Sequence, residues 1–141
     1  MTAALEIRVR NSLDEIARLA EQVDAFCETH GIGPGIAYNL NLAFDELITN
    51  TISYGYDDQA EHEIVVRIAA SDKAVEAEIV DDARAFDPLS REDPDVDADI
   101  DDREIGGLGI FFVKQFMDEV AYRREGDYNV VALRKGLAAN D

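Results

Sequence analysis

Three scarcities bound what this chain can be. It has a single cysteine, Cys27, so an internal disulfide is excluded. Cys27 falls among the apolar positions of a predicted helix, with no clustered histidine for metal or nucleophile work, and is expected to be a buried core thiol. Cations are few: 13 Lys and Arg stand against 31 Asp and Glu, a formal net charge of −18. Such a field repels phosphate backbones and anionic lipid, so nucleic acid and membrane surfaces are poor partners and an anionic ligand must be held locally. No apolar run approaches the length of a membrane span, and residues 1–6 lack a basic region followed by an apolar one, so a cytoplasmic protein is expected.

What is present is material for a core. The chain of 141 residues is 47% hydrophobic, which suits one domain over residues 1–141 without a linker or internal repeat. Leu5, Ile7 and Val9 alternate with Glu6, Arg8 and Arg10 as in a half-buried strand. Leu13, Ile16, Ala20, Val23 and Cys27 then recur at helical intervals, Ser12 and Glu15 have capping-box spacing, and Gly31 supplies a terminator. A second helix is expected from Pro34 to Ser53. Ile64, Val66 and Ile68, then Val75, Ala77 and Ile79 across a Ser71-Asp72-Lys73 turn, read as an antiparallel hairpin. Residues 88–105 show no periodicity. A short, almost wholly apolar helix follows to Met117, expected to be buried on most sides, and a last hairpin joins at Glu125-Gly126-Asp127. This order implies an α+β fold: a two-layer sandwich of a mixed, mainly antiparallel sheet with its helices on one face.

Three segments carry chemistry. Glu46 and Asn50 lie one helical turn apart and point the same way, on a stripe with Asn39, Ala43 and Ser53 that borders the apolar stripe of Ile36, Leu40, Leu47 and Tyr54. The pair offers a general base and a neutral oxygen ligand, suited to proton abstraction and to magnesium, which takes few protein oxygens and keeps its waters. Asp81, at a strand end, is an acceptor able to read an exocyclic amine. Gly106, Gly107 and Gly109 open a helix and present backbone N–H groups at the positive end of its dipole, a cradle for phosphate. Each has an ordinary reading too: a solvated pair, a turn residue, and glycines placed for close packing. The G-x-G-x-x-G and G-x-x-x-x-G-K patterns of other nucleotide folds are absent.

In combination, the segments resemble a known family. Glu46-Leu47-Ile48-Thr49-Asn50 followed by Tyr54-Gly55-Tyr56, then Asp81-Asp82-Ala83-Arg84-Ala85-Phe86-Asp87-Pro88, then Gly106-Gly107-Leu108-Gly109-Ile110 leading to Met117-Asp118-Glu119-Val120, are similar to the ordered motifs of the Bergerat-fold ATPases. That family includes gyrase, the heat-shock chaperone, histidine kinases and mismatch-repair proteins. Over nearly the whole chain the likeness is greatest to the small anti-sigma-factor serine/threonine kinases. The resemblance implies Mg-ATP, with Glu46 as general base and Asn50 as ligand of Mg2+. It also places Asp81 on the adenine amine, with Ala83 and Phe86 beside it, and Gly106, Gly107, Leu108 and Gly109 against the phosphates. Residues 88–105 become a lid, with Arg103 as the positive charge for the terminal phosphate. The implied partners are a small antagonist protein, phosphorylated on a serine or threonine hydroxyl, and a sigma factor; a homodimer is left open. The alternative is a catalytically weak or inactive ATP-binding module that sequesters a regulatory protein.

Two features depart from the pattern or compete with it. Ala83 stands where the motif has glycine, and its Cβ either fits an ordinary backbone well or pushes the chain away from the base. Within the lid, Asp93, Asp95, Asp97, Asp99, Asp101 and Glu104 have the ligand spacing of a calcium loop, but Ala98 replaces the turn glycine and neither flank is helical. An acidic lid is therefore the preferred reading over 92–104.

Overall fold

The computed structural model describes residues 3–58, 60–89 and 105–137. Alternation decides which side of each strand is buried. In β1 (Ala3–Arg10), β2 (Glu63–Ala70) and β3 (Ala74–Asp81), Ile7, Val9, Ile64, Val66, Ile68, Val75 and Ile79 all point to one side and are almost fully buried. Val131 and Leu133 of β5 (Tyr128–Gly136) continue that surface, with Val120 and Tyr122 of β4 (Glu119–Glu125) packed at its margin. The strands lie in the order β1-β2-β3-β5-β4. Every pairing is antiparallel, so the mixed sheet expected from sequence is purely antiparallel among the described residues.

The helices cover the apolar face. From α1 (Glu15–Thr29) come Leu19, Val23 and Cys27; from α2 (Pro34–Tyr54) come Leu40, Ala43, Phe44, Leu47 and Ile48. Cys27 is 1% exposed and unpaired, as expected, and burial pushes its thiol pKa up. Pro34 begins α2, where its missing N–H costs nothing, and Gly31 follows α1 at φ 71°, the left-handed position that stops a helix. No described helix is long and apolar enough to cross a membrane.

Two expectations need correcting. The capping box at Ser12 does not form. Asp14 is the N-cap and makes no side-chain cap, while Glu15 turns its carboxylate back to accept the Arg10 N–H at 3.0 Å and the guanidiniums of Arg10 and Arg18 at 3.2 and 2.9 Å. Two nearby cations outcompete a single backbone N–H for a carboxylate. The third helix, α3 (Ile105–Phe116), is also less covered than its composition suggests. Ile110, Val113 and the following Met117 are buried, whereas Phe112 is 40% exposed. Its aromatic rings shield one another instead, Phe111 edge-on to Phe112 and Phe112 stacked with Phe116.

The opposite face of the sheet is an ion-pair surface. Cross-strand pairs Glu6–Arg67, Glu78–Arg123 and Glu76–Arg134 at 2.9, 2.9 and 3.6 Å run over it. A trough of about 800 Å³ lies there, but its arginines are committed to these glutamates and no sequence motif reaches it.

Glu15 gives a stability test. Its side chain is 11% exposed, and the bonds from Arg18 and Arg10 lower its pKa from an ordinary 4.5 to about 2. A depressed carboxylate contributes stability that is complete above its unfolded-state pKa and is lost as pH falls through the folded value. Glu15→Gln is therefore expected to lose about 1–2 kcal/mol at pH 7, a figure reduced for the exposed guanidiniums. In urea denaturation series, the gap to the parent should narrow as pH falls from 4.5 toward 2.

Candidate nucleotide site

The site is built where α2, the end of β3 and the start of α3 meet. The helical period brings Glu46 and Asn50 to the same edge of α2, half-buried beside the core residues Leu47 and Ala43. Burial pushes the Glu46 pKa up, Asp45 adds to the rise, and a hydrogen bond with Asn50 opposes it. An upward shift brings a carboxylate closer to the range useful for a general base near neutral pH.

Gly109 explains how close α3 comes. A Cβ there would stand 2.1 Å from the Glu46 carboxyl carbon and 2.2 Å from one of its oxygens. The bare glycine lets the first turns of α3 rest on the carboxylate. Gly106 and Gly107 lie in the first turn of α3, where backbone N–H groups have no intrahelical partner. Arg103 and lid residues 90–104, including the acidic 92–104 window, lie outside the described residues.

Asp81 sits at the other end of a narrow cleft that Asn50 and Thr51 also line. It is 4% exposed, and burial pushes its pKa up against the pull of its donors. Its Oδ1 accepts from Asn129 Nδ2 at 2.9 Å and from the Ala83 N–H at 3.0 Å, while Oδ2 is 3.5 Å from Thr51 Oγ1. The cleft holds about 20 Å³, room for about one water, and exposed Phe86 and Arg84 and buried Pro88 also line it.

Alanine at position 83 proves compatible. No described non-glycine residue has a positive φ, so Ala83 occupies an ordinary well, and its N–H still reaches Asp81. Room for its methyl comes from Gly55, where an added Cβ would stand 2.7 Å from the Ala83 Cβ. Tyr54, by contrast, is 63% exposed and contributes its backbone carbonyl, which accepts from Arg84.

Sequence reasoning missed two groups. Asn129, on β5, is buried and tied to Asp81, and nothing in a lone asparagine marks it before the β3–β5 register is known. The second is a strap behind the cleft. His62 bonds Asp58 through Nε2 at 2.8 Å and Asp82 through Nδ1 at 3.1 Å, and stacks on Tyr56, whose hydroxyl donates to Asp82 at 3.0 Å. The strap anchors the chain after α2 to the residue following Asp81.

Among the described residues no three His, Cys, Asp or Glu side chains gather as a metal cage. Magnesium fits such a donor set, since it takes few protein oxygens and keeps its waters, and the Asn50 carboxamide would offer it one oxygen.

Comparison with known proteins bears on the family. The family described as a histidine kinase-like ATPase domain matches residues 9–135. The chain is similar to the serine/threonine-protein kinase BtrW of Bordetella bronchiseptica, 26% identical over 98 residues that cover 70% of this chain and 69% of that one. It is also similar to the serine-protein kinase RsbW of Listeria monocytogenes, 31% identical over 93 residues, covering 62% and 59%. RsbW of Oceanobacillus iheyensis is 25% identical over 112 residues, covering 73% and 66%. The chain thus spans about six tenths of the length of the Listeria kinase.

Two measurements test this geometry. In Gly109→Ala the added methyl meets the far end of a flexible side chain, and helix propensity favours alanine by about 1 kcal/mol, so unfolding free energy should stay within about 1 kcal/mol of the parent. The Glu46 carboxylate must move, and the Asn50 side-chain amide resonances should shift with it. For His62, hydrogen bonds to Asp58 and then Asp82 raise its pKa above 6.5. A raised histidine stabilises fully below its unfolded pKa and loses that contribution as pH rises through the folded value. Thermal melts of His62→Gln should therefore fall below the parent at pH 6 and converge with it at alkaline pH.

Proposed function

We propose, from the premise that this chain belongs to the histidine kinase-like ATPase domain family, that it is an anti-sigma-type serine/threonine protein kinase. It binds Mg-ATP in the cleft between α2, β3 and α3. Its substrate is a serine or threonine hydroxyl of a small antagonist protein, and it alternates between that antagonist and a sigma factor. The observation that carries this reading is the Glu46 carboxylate, raised in pKa and held between Asn50 and the first turns of α3. The serine kinases among its relatives support the choice of substrate class.

In this reading Asp81 accepts from the purine amine through the oxygen that Asn129 leaves free, with Ala83 and Phe86 against the base. The start of α3, with Gly106, Gly107, Leu108 and Gly109, lies against the phosphates at the positive end of the helix dipole, and Arg103 adds a positive charge. Asn50 offers its carboxamide oxygen to Mg2+, which supplies charge neutralisation on the phosphates. Glu46 takes the proton of the acceptor hydroxyl as that oxygen bonds to the terminal phosphorus. The bond to the bridging oxygen breaks and ADP leaves. Phosphoryl transfer of this kind asks the protein for positioning and one oriented base more than for covalent chemistry.

The 20 Å³ cleft favours a second reading, a module that keeps the fold for partner switching and transfers nothing. A purine is far larger than this volume, so the kinase reading requires the cleft to widen. Label transfer from the terminal phosphate of ATP to candidate antagonists, with magnesium present, separates the two. The kinase reading expects transfer, and expects Glu46→Ala to reduce it by roughly 10²- to 10⁴-fold while nucleotide binding persists. Absence of label with every antagonist, or unchanged transfer in the variant, would overturn it.

A further inference from the structure

Asn129 lies directly across from Asp81 in the β3–β5 register, 4% exposed, with all its hydrogen-bonding capacity in use. A carboxamide has two N–H donors and an oxygen with two lone pairs. Nδ2 donates to Asp81 Oδ1 and to the Arg84 carbonyl, both at 2.9 Å, with the Ala83 carbonyl at 3.4 Å. Oδ1 accepts from the Tyr122 hydroxyl at 2.7 Å and from Arg124 Nη1 at 3.0 Å, with the Phe86 N–H at 3.4 Å. The partners fix which end is which, because a flipped amide would set N–H against N–H and oxygen against carboxylate.

A side chain this saturated has nothing to offer a ligand, so any influence it has on one passes through the groups it holds. Those groups are one oxygen of Asp81 and the backbone of residues 83–86, the wall of the cleft. Asn129 and the Ala83 N–H occupy Oδ1, which leaves Oδ2, among the described residues, with only the 3.5 Å contact to Thr51. Arg124 reinforces the same wall by donating to the Ala83 carbonyl at 2.9 Å. We infer that Asn129 is a positioning residue that sets the base selectivity of the nucleotide site by aiming Asp81 at the exocyclic amine. The inference rests on the nucleotide reading above, and it adds a residue no motif contains. Aspartate at position 129 would not serve, since it would set two buried carboxylates about 3 Å apart.

The test is the ratio of ATP to ITP affinity, measured by titration calorimetry on the full chain with magnesium. ITP carries a carbonyl oxygen where ATP has the amine, so it faces Asp81 with an acceptor. The parent is expected to prefer ATP by about tenfold or more, as a site built around one hydrogen bond does. Asn129→Ala should bring the ratio to within about threefold, and should not change it further in an Asp81→Asn background, because the two residues act as one unit. A purely structural role would weaken both nucleotides equally. If Asn129→Ala fails to fold, Asn129→Leu, which keeps the volume and offers no donor, reads the same ratio. A parent that binds neither nucleotide, or both alike, overturns the nucleotide reading and this inference with it. A selective parent whose Asn129 variants stay equally selective overturns this inference alone.

Discussion

A carboxylate buried at the end of a strand must be met by donors, and the architecture around the cleft follows from how Asp81 is met. Burying an ionised group without partners costs several kcal/mol. Here the Asn129 amide and the Ala83 N–H supply them, one from the neighbouring strand and one from the turn that follows. Satisfying the carboxylate therefore fixes the chain as it leaves the sheet. That segment is in turn bonded to the end of α2, with the Arg84 N–H on the Gly55 carbonyl at 3.1 Å and Tyr56 on Asp82. The helix bearing Glu46 and Asn50 is thus located relative to β3 by a short series of hydrogen bonds that begins at one buried oxygen.

Two close approaches complete the arrangement, and both use glycine for the absence of a side chain. Gly55 admits the methyl of Ala83, and Gly109 admits the carboxylate of Glu46. In neither case is a positive φ involved. The departure from the family pattern at position 83 is absorbed by a glycine nearly thirty residues away in sequence. A motif read in isolation gives no hint of such compensation.

Element order, the bounds of α2 and the strand alternation were legible in the sequence, because periodicity and turn chemistry are local signals, whereas Leu13, counted in the first helix's stripe, lies before α1 and is exposed. Glu46 and Asn50 were legible as a pair for the same reason: a fixed spacing on a helix implies a shared direction. What escaped was anything decided by competition or by distant contact. Ser12 and Glu15 have the right spacing for a cap, yet Arg10 and Arg18 draw the carboxylate elsewhere. The apolar character of α3 overstated its burial, since aromatic rings on one helix can shelter one another. Asn129 was invisible, because its meaning depends on a strand pairing that joins residues 48 positions apart.

Cys27 has a practical consequence. A lone thiol, 1% exposed on α1 and raised in pKa by its surroundings, is shielded from alkylating reagents while the native packing persists. Modification then requires that α1 lift from the sheet, so the rate of labelling reports the population of opened molecules. The chain carries its own gauge of conformational opening, at a residue that does not line the cleft and needing no engineered probe.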